Sequence, residues 1–351
     1  MFLAIKEILH QKTRYAAITL VVFLVSYLVY FLTGLAFGLA SSYTEVIDTW
    51  SAKTVTLAKD ANKSALASRL STSALRGLPE DAAGISFVPA AIDDRSEGAD
   101  GERINVFIAG VDERLRPHLQ KGRWGREASE VVIDPTLERA GWHVGDRLEL
   151  PEATARIVGV SEPARFQASP LVMVAGSDIA DIAGPQGRDL TSIIVSESGA
   201  GLPSTIGGVD VETIPVDNFI DELPGYRAQY LTFSLMIGAL IVILSLVLGI
   251  FMYVLTLQKS HVFGVMKAQG VPTSYIARAG AAQTLLISLC GVALGAAAAL
   301  GSGGALRGAV PFAVSWPLFA ALSAAFVVFT LLGSLFPIRV ISRIDPMTAI
   351  G

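Results

Sequence analysis

Four long apolar runs constrain this 351-residue chain more than any other feature of its sequence. The first contains 26 consecutive uncharged residues, from Tyr15 to Ala40, and the other three are of similar length. Each exceeds the roughly 20 helical residues that cross about 30 Å of bilayer hydrocarbon. One such helix fits into a soluble core, but four in one chain indicate a membrane protein. We predict transmembrane helices over residues 15–44, 227–257, 276–306 and 311–338.

The charged residues are divided unevenly along the chain. Residues 48–226 hold 17 basic and 28 acidic residues, a net charge of −11, whereas the rest holds 10 and 3, a net charge of +7. The acidic block has about 180 residues, which is enough for an independent core. We therefore predict a large extracytoplasmic α+β domain over residues 45–226, between the first and second spans. The distribution includes no basic domain, which argues against a nucleic-acid partner.

Basic residues beside the spans predict the orientation in the membrane. They concentrate before the first span, between the second and third, and after the fourth, at Lys6, Lys12, Arg14, Lys259, Lys267, Arg278, Arg339 and Arg343. Because cytoplasmic loops are enriched in Lys and Arg, both termini, the segment 258–275 and the tail 339–351 are predicted to be cytoplasmic. Apolar and polar residues recur with a helical period over residues 1–14, which predicts an amphipathic helix on the inner membrane face.

Short apolar runs separated by Gly and Pro predict the secondary structure of the outer domain. Strands are predicted at Ile104–Ile108, Val131–Ile133, Arg147–Leu150, Ala155–Val160 and Ser192–Val195. Helices are predicted over Leu66–Leu78 and Thr136–Ala140. Trp50, just beyond the first span, is predicted to be an anchor at the membrane interface.

No group of residues in the sequence resembles a catalytic or metal site. Cys290 is the only cysteine, so neither an intrachain disulfide nor a cysteine-based metal site can form. His118 and His143 lie in the outer domain without a nucleophile or a paired carboxylate at a suitable spacing. We predict a non-catalytic chain with no resident metal or cofactor.

Three local sequences resemble the MacB/FtsX-type ABC transporter permeases. The segments 130–134, 145–150 and 155–160 are similar to the periplasmic core domain of that family. Residues 258–273 are similar to its cytoplasmic coupling segment, usually of the form EIGVLKALG, and residues 339–346 to its C-terminal RISRIDP sequence. The short chain and its N-terminus are most similar to the haem-export permeases of HrtB type and to the DevC group.

The resemblance implies the remaining parts of the transporter. Such permeases are homodimers in the bacterial cytoplasmic membrane, with two ATPase subunits bound on the cytoplasmic side. This sequence lacks a Gly-x-x-x-x-Gly-Lys-Ser/Thr loop, so ATP and Mg²⁺ are expected on the separate ATPase. The residues implied in coupling to it are Val262, Phe263, Val265, Met266, Lys267 and Gly270. Many relatives carry Glu at the position of Val262, where this chain has no carboxylate for an acidic contact.

Small residues on the first two spans predict a face for close helix contact. Gly34 and Gly38 are spaced by four residues in the first span, and Ser234 and Gly238 have the same spacing in the second. Small residues let transmembrane helices approach closely. We predict that these positions face either a second copy of the chain or a substrate cavity.

Residues at the outer ends of these spans are the candidates for binding haem. Iron in haem is held by His, Cys, Met or Tyr side chains in most proteins, and none of the four predicted spans contains a histidine. We predict Glu45 as the ligand of the iron, with Tyr43 or Tyr230 as the alternative. Further lining residues are Ser41, Met236 and Arg227, which is available to a propionate. The structural alternative is dimer packing with a simple Glu45–Arg227 ion pair.

Together these features predict the permease subunit of an ABC exporter that expels a hydrophobic substrate, with haem as the leading candidate. The expected partners are the ATPase, a second copy and membrane lipid. One alternative is an FtsX-like mechanotransmitter, which operates an outer partner and carries no cargo. Another is an exporter of lipoproteins, peptides or drugs.

Overall fold

The computed structural model describes residues 12–75, 77–96, 98, 101–198, 202–258, 260–306 and 310–333. The chain forms two compact units, one of residues 39–229 and the other of residues 1–38 together with 230–351. The first is called the outer unit below and the second the helical unit. Residues 1–11, which include most of the predicted amphipathic helix, and the predicted tail 339–351 lie outside the described residues.

The described α-helices include both long apolar helices and short ones. They are α1 (Lys12–Asp48), α2 (Pro135–Arg139), α3 (Ile179–Ala183), α4 (Val216–Asp221), α5 (Tyr226–Gln258), α6 (Ser260–Ala268), α7 (Thr273–Ala305) and α8 (Trp316–Gly333). Three of them, α1, α5 and α7, are long and apolar enough to cross a membrane. They coincide with the first three predicted spans.

The fourth predicted span, residues 311–338, is helical from Trp316 onward within its described part. The preceding residues 311–315 are not helical, and the N–H of Ala313 donates to the carbonyl of Gly34 at 3.1 Å. Pro317 stands in the first turn of α8, where a missing N–H costs nothing. The apolar stretch of α8 that the structure describes, Trp316–Phe329, is shorter than the other three, so a fourth span stays a prediction.

Helices α1 and α7 pack closely through two glycines. The hydroxyl of Ser26 donates to the carbonyl of Gly291 at 3.0 Å. A Cβ added at Gly291 would lie 2.6 Å from Val22, and one at Gly295 would overlap the Ser26 hydroxyl. Residue numbers rise together along this contact, so the two helices run parallel. The first and third spans of a chain that crosses a membrane repeatedly must have this relation.

Helix α8 packs against α1 around Tyr30. The Tyr30 hydroxyl and the Ser323 hydroxyl are 2.6 Å apart. The Tyr30 ring lies 5.2 Å from the ring of Phe319 and 5.9 Å from that of Phe326, measured between centroids. All three aromatic side chains are buried, so this cluster forms the apolar core of the helical unit.

The outer unit is built on one mixed sheet. Its described strands are β1 (Thr54–Ala58), β2 (Ala82–Asp93), β3 (Arg103–Val111), β4 (Leu119–Gly122), β5 (Glu130–Ile133), β6 (Arg147–Glu149), β7 (Thr154–Ser161), β8 (Arg165–Phe166), β9 (Ser169–Ala175), β10 (Ile193–Ser196), β11 (Thr205–Ile206) and β12 (Val209–Pro215). The order across the sheet is β11-β12-β1-β10-β2-β3-β9-β5-β7-β4, with β6 paired to β7 and β8 to β9. The β3–β9 and β5–β7 pairs are parallel and the others antiparallel.

All five predicted strands are present, as β3, β5, β6, β7 and β10, and the predicted helix Thr136–Ala140 corresponds to α2. The predicted helix over Leu66–Leu78 is wrong. Leu70 instead exchanges two backbone hydrogen bonds with Thr191, at 2.9 and 2.8 Å, and the Ser71 hydroxyl donates to Asp189. Hydroxyl side chains compete with helical hydrogen bonding in this way. Among the described residues of this stretch, the helical structure is a 3₁₀ turn at Thr72–Leu75.

Trp50 is a core residue of the outer unit and not an interface anchor. Its side chain is fully buried, among residues that include Val46 and Ile47 from the last turn of α1. The apolar residues at the outer end of α1 therefore continue into the core of the outer unit. A tryptophan close to an apolar run has the same sequence signature in either environment, which explains the error.

Candidate functional site

Glu45, the predicted iron ligand, forms an ion pair with Arg165. The guanidinium donates two hydrogen bonds to the carboxylate, from Nε at 2.7 Å and from a terminal nitrogen at 2.5 Å. Both side chains are largely shielded, with exposed fractions of 17% for Glu45 and 23% for Arg165. The hydrogen bond to Glu45 raises the pKa of Arg165 above its usual value. Two parallel bonds of this kind fix orientation as well as charge.

The turn of the β8–β9 hairpin holds the same part of α1. The N–H of Gln167 donates to the carbonyl of Tyr43 at 3.2 Å, and the N–H of Ala168 donates to that of Ser42 at 3.1 Å. Both turn residues have positive φ, 50° and 64°, as a two-residue type I′ hairpin requires. Gln167, Ala168, Arg165 and Glu45 are called the α1 clamp below.

Packing next to the α1 clamp fixes the position of Arg165. The adjacent Phe166 is fully buried, and its ring stacks on that of Phe87 with 4.2 Å between centroids. On the other side, the buried Asp134 accepts a hydrogen bond from the N–H of Ala164 at 2.7 Å. The guanidinium is thus presented to Glu45 by a well-packed segment, and not by a loose surface loop.

The predicted haem-binding residues are distributed over both units. Ser41, Tyr43, Glu45 and Arg227 belong to the outer unit, and Tyr230 and Met236 to the helical unit. The ring of Tyr43 packs at 6.0 Å from that of Tyr226. The alternative expectation of a Glu45–Arg227 pair is wrong, because Glu45 binds Arg165. On α5, Tyr230 is 60% exposed and Met236 is 43% exposed.

The two pairs of small residues have different surroundings. Gly34 and Gly38 are buried, and a Cβ added to either would overlap Phe312 or the backbone of Pro311. Their close contact is with this same chain, which corrects the expectation of a dimer or cavity face at these two positions. Ser234 and Gly238 on α5 are exposed, and no heavy atom lies within 4 Å of a Cβ added at Gly238.

The predicted coupling segment contains the short helix α6. Its end is a Schellman motif: the N–H of Gly270 donates to Lys267, and that of Val271 to Met266, both at 3.0 Å. Gly270 has a φ of +85°, as this motif requires. Val262 is exposed, whereas Val265, Met266 and Lys267 are half-buried. The side chain of Phe263 lies outside the described residues.

Side chains of the types that bind metals are scattered over the residues that the structure describes. No group of three or more His, Cys, Asp or Glu side chains in this part of the chain could hold an ion.

The sequence does not indicate Arg165, Gln167 and Ala168, the partners of the outer end of α1. Their turn lacks the Asn-Gly or Asp-Gly pair that identifies a type I′ hairpin in a sequence.

The chain is similar in sequence to several known permeases. Residues 234–346 match the family described as FtsX-like permease C-terminal. A permease of Staphylococcus epidermidis named HrtB, for a hemin transport system, is 26% identical over 100% of this chain and 99% of its own length. Its namesake in Staphylococcus haemolyticus is 24% identical over the same shares. An uncharacterized ABC transporter permease of Mycobacterium tuberculosis is 26% identical over 77% of this chain and 74% of its own length.

Two solved structures align with part of the chain. The periplasmic region of MacB from Actinobacillus actinomycetemcomitans has a TM-score of 0.35 and 14% identity, covering 51% of this chain and 95% of that one. The extracellular domain of the transporter YknZ has a TM-score of 0.30 and 11% identity, covering 41% and 82%. Residues 234–346 are thus similar to FtsX-like permeases, and over its whole length the chain is similar to permeases of transport systems.

Proposed function

We propose that this chain is the membrane subunit of an ABC exporter that removes haem from the cytoplasmic membrane. The observation that carries the proposal is the similarity, over the whole of both chains, to permeases named for hemin transport. Haem is an amphipathic molecule that partitions into membranes, and a permease with exposed apolar helices suits such a cargo. No described residue group forms a resident metal site, so haem is proposed here as cargo.

The driving force would come from a separate ATPase subunit. Helix α6, with its exposed Val262, is proposed to dock on this ATPase at the cytoplasmic side. Both termini would face the cytoplasm, and the exposed face of α5 around Ser234 and Gly238 would contact a second copy of the chain. ATP-driven movement of α6 would then rearrange the spans and release haem toward the outside.

Within the predicted haem site, the exposed side chains on α5 are now the better ligands. A carboxylate that accepts two hydrogen bonds from a guanidinium has to break them before it can bind iron, which disfavours Glu45. Tyr230 and Met236 are exposed and carry atoms that bind haem iron. We propose Tyr230 as the iron ligand, with Met236 on the same helix as the alternative.

A mechanotransmitter is the second candidate, and the α1 clamp favours it. Helix α1 is continuous over 37 residues, and its last turns are held by the β8–β9 hairpin and by the Glu45–Arg165 pair. Such a connection suits the transfer of movement to the outer unit. In this alternative no cargo binds, and Tyr230 has no special role.

Titration of the purified permease in nanodiscs with ferric haem separates the two candidates. We expect a saturable change of the Soret band in the wild type, and Tyr230→Phe should weaken binding by about tenfold or more, on the scale of a lost partner at a metal site. Tyr253→Phe, an exposed tyrosine further along α5, is the matched control. If neither Tyr230→Phe nor Met236→Leu changes the Soret titration, haem binds at another site. No saturable shift at all would favour the mechanotransmitter.

A further inference from the structure

An open groove lies between α1 and α7 in the helical unit. Its walls include Lys12, Ala16, Leu20 and Phe23 from α1, and Cys290 and Leu294 from α7. The groove encloses about 610 Å³, which is in the range of ligand sites in proteins. It involves none of the residues assigned above to haem or to the ATPase.

The groove is mostly apolar and carries a positive charge at one end. Its lining also includes Tyr15 and Thr19, and the Thr19 hydroxyl donates to the backbone carbonyl of Tyr15 at 2.8 Å. Leu20, Leu294 and Phe23 form its wall away from the terminus, and Lys12 stands at the start of α1. No carboxylate among the residues that the structure describes forms an ion pair with Lys12. The site is therefore complementary to a ligand with an apolar body and one anionic end.

The length of the groove matches one leaflet of a bilayer. Lys12 and Phe23 are eleven residues apart, which is about 16 Å along an α-helix. One leaflet contributes about 15 Å, half of the roughly 30 Å of hydrocarbon. In the orientation proposed above, Lys12 lies at the cytoplasmic head-group level, where basic pockets between transmembrane helices bind anionic lipid head groups.

We propose that this groove is a binding site for one anionic phospholipid of the cytoplasmic leaflet. An acyl chain lies between α1 and α7, from Ala16 to Leu294, and the phosphate accepts hydrogen bonds from the Lys12 ammonium. The bound lipid would brace the parallel α1–α7 pair at its open side.

Lipid retention by the purified full-length chain, measured by native mass spectrometry in mild detergent, tests the proposal. We expect about one anionic phospholipid per chain in the wild type. Leu294→Trp fills the groove and should lower this retention at least about fivefold, whereas Leu24→Trp should not. Leu24 is a matched control because it is as exposed as Leu294, at 52% against 56%, and lies outside the groove. If Leu294→Trp does not fold, Ala16→Leu fills the groove from the opposite wall.

The charge at the end of the groove is tested separately. Lys12→Ala should reduce the preference for anionic over zwitterionic phospholipid about fivefold, the scale of one lysine near a membrane surface, and Lys12→Arg should keep it. Equal retention in Leu294→Trp and Leu24→Trp, or an unchanged preference in Lys12→Ala, would overturn the proposal. So would a fast disulfide between two copies through Cys290, because a second copy would then cover the groove.

Discussion

At the scale of single residues, the Glu45–Arg165 pair is the most informative contact. Arg165→Ala would leave the largely shielded Glu45 carboxylate without its two hydrogen bonds. An unsatisfied buried polar group costs about 1–3 kcal/mol, and a charged group costs more. We expect a lower thermal unfolding midpoint for the purified permease. Arg188→Ala, which removes an exposed arginine, should have almost no effect, and equal midpoints for the two variants would contradict the role given to the pair.

The sequence indicates that Glu45 is important but not which residue it binds. A carboxylate at the end of an apolar run needs a partner. Arg227 is the obvious candidate in the sequence, because it lies at the outer end of the second predicted span. The actual partner, Arg165, is 120 residues away in sequence and is placed by a turn of Gln167 and Ala168 that has no characteristic sequence. The proposed iron ligand is therefore the exposed Tyr230 and not Glu45.

At the scale of secondary-structure elements, the end of α6 gives a test of the coupling segment. Gly270 has a φ of +85°, a conformation that costs other residues about 1–2 kcal/mol. No heavy atom lies within 4 Å of an added Cβ, so a substitution acts on conformation alone. We expect Gly270→Ala to weaken co-purification of the ATPase and Gly270→Asn, which tolerates this conformation better, to weaken it less. Full retention in Gly270→Ala would count against a coupling role for the motif.

The α1–α7 contact gives a second test at this scale. A side chain at Gly295 meets Ser26 and the backbone of α1, and overpacking of a tight contact typically costs about 1–3 kcal/mol. Gly295→Leu should therefore lower the thermal midpoint of the detergent-solubilised permease. Gly301→Leu is the control on the same helix, because no heavy atom lies near its added Cβ. Similar midpoints for both variants would contradict the close packing of α1 on α7.

Elements are predictable where one physical signal dominates. Length and hydropathy predict α1, α5 and α7, and alternating apolar residues predict strands such as β3 and β7. The prediction fails over Leu66–Leu78, where a bridge to Thr191 replaces local helical bonds. The sequence also does not show that residues 311–313 pack against Gly34 and Gly38. A small-residue pair indicates that a close contact exists and not which segment makes it.

At the scale of the whole molecule, charge and hydropathy separate the chain into the same two parts as the structure. The acidic segment 48–226 nearly coincides with the outer unit of residues 39–229. The resemblance to FtsX-type permeases follows from motifs and agrees with the match of residues 234–346 to that family. The cargo is less predictable, because the proposed haem ligands are only a few side chains of α5.

ATP-dependent haem release tests the central claim most directly. The permease, co-purified with its ATPase, is reconstituted into liposomes that contain ferric haem, and apomyoglobin in the outside solution reports released haem by its absorbance. Added ATP drives only those permeases whose ATPase faces the outside solution, and these release haem into the lumen. In a parallel preparation, apomyoglobin is therefore enclosed in the lumen. The account predicts that ATP accelerates transfer to the lumen and that Tyr230→Phe reduces this acceleration while ATP hydrolysis continues. ATP hydrolysis without any ATP-dependent haem transfer in the wild type would contradict it.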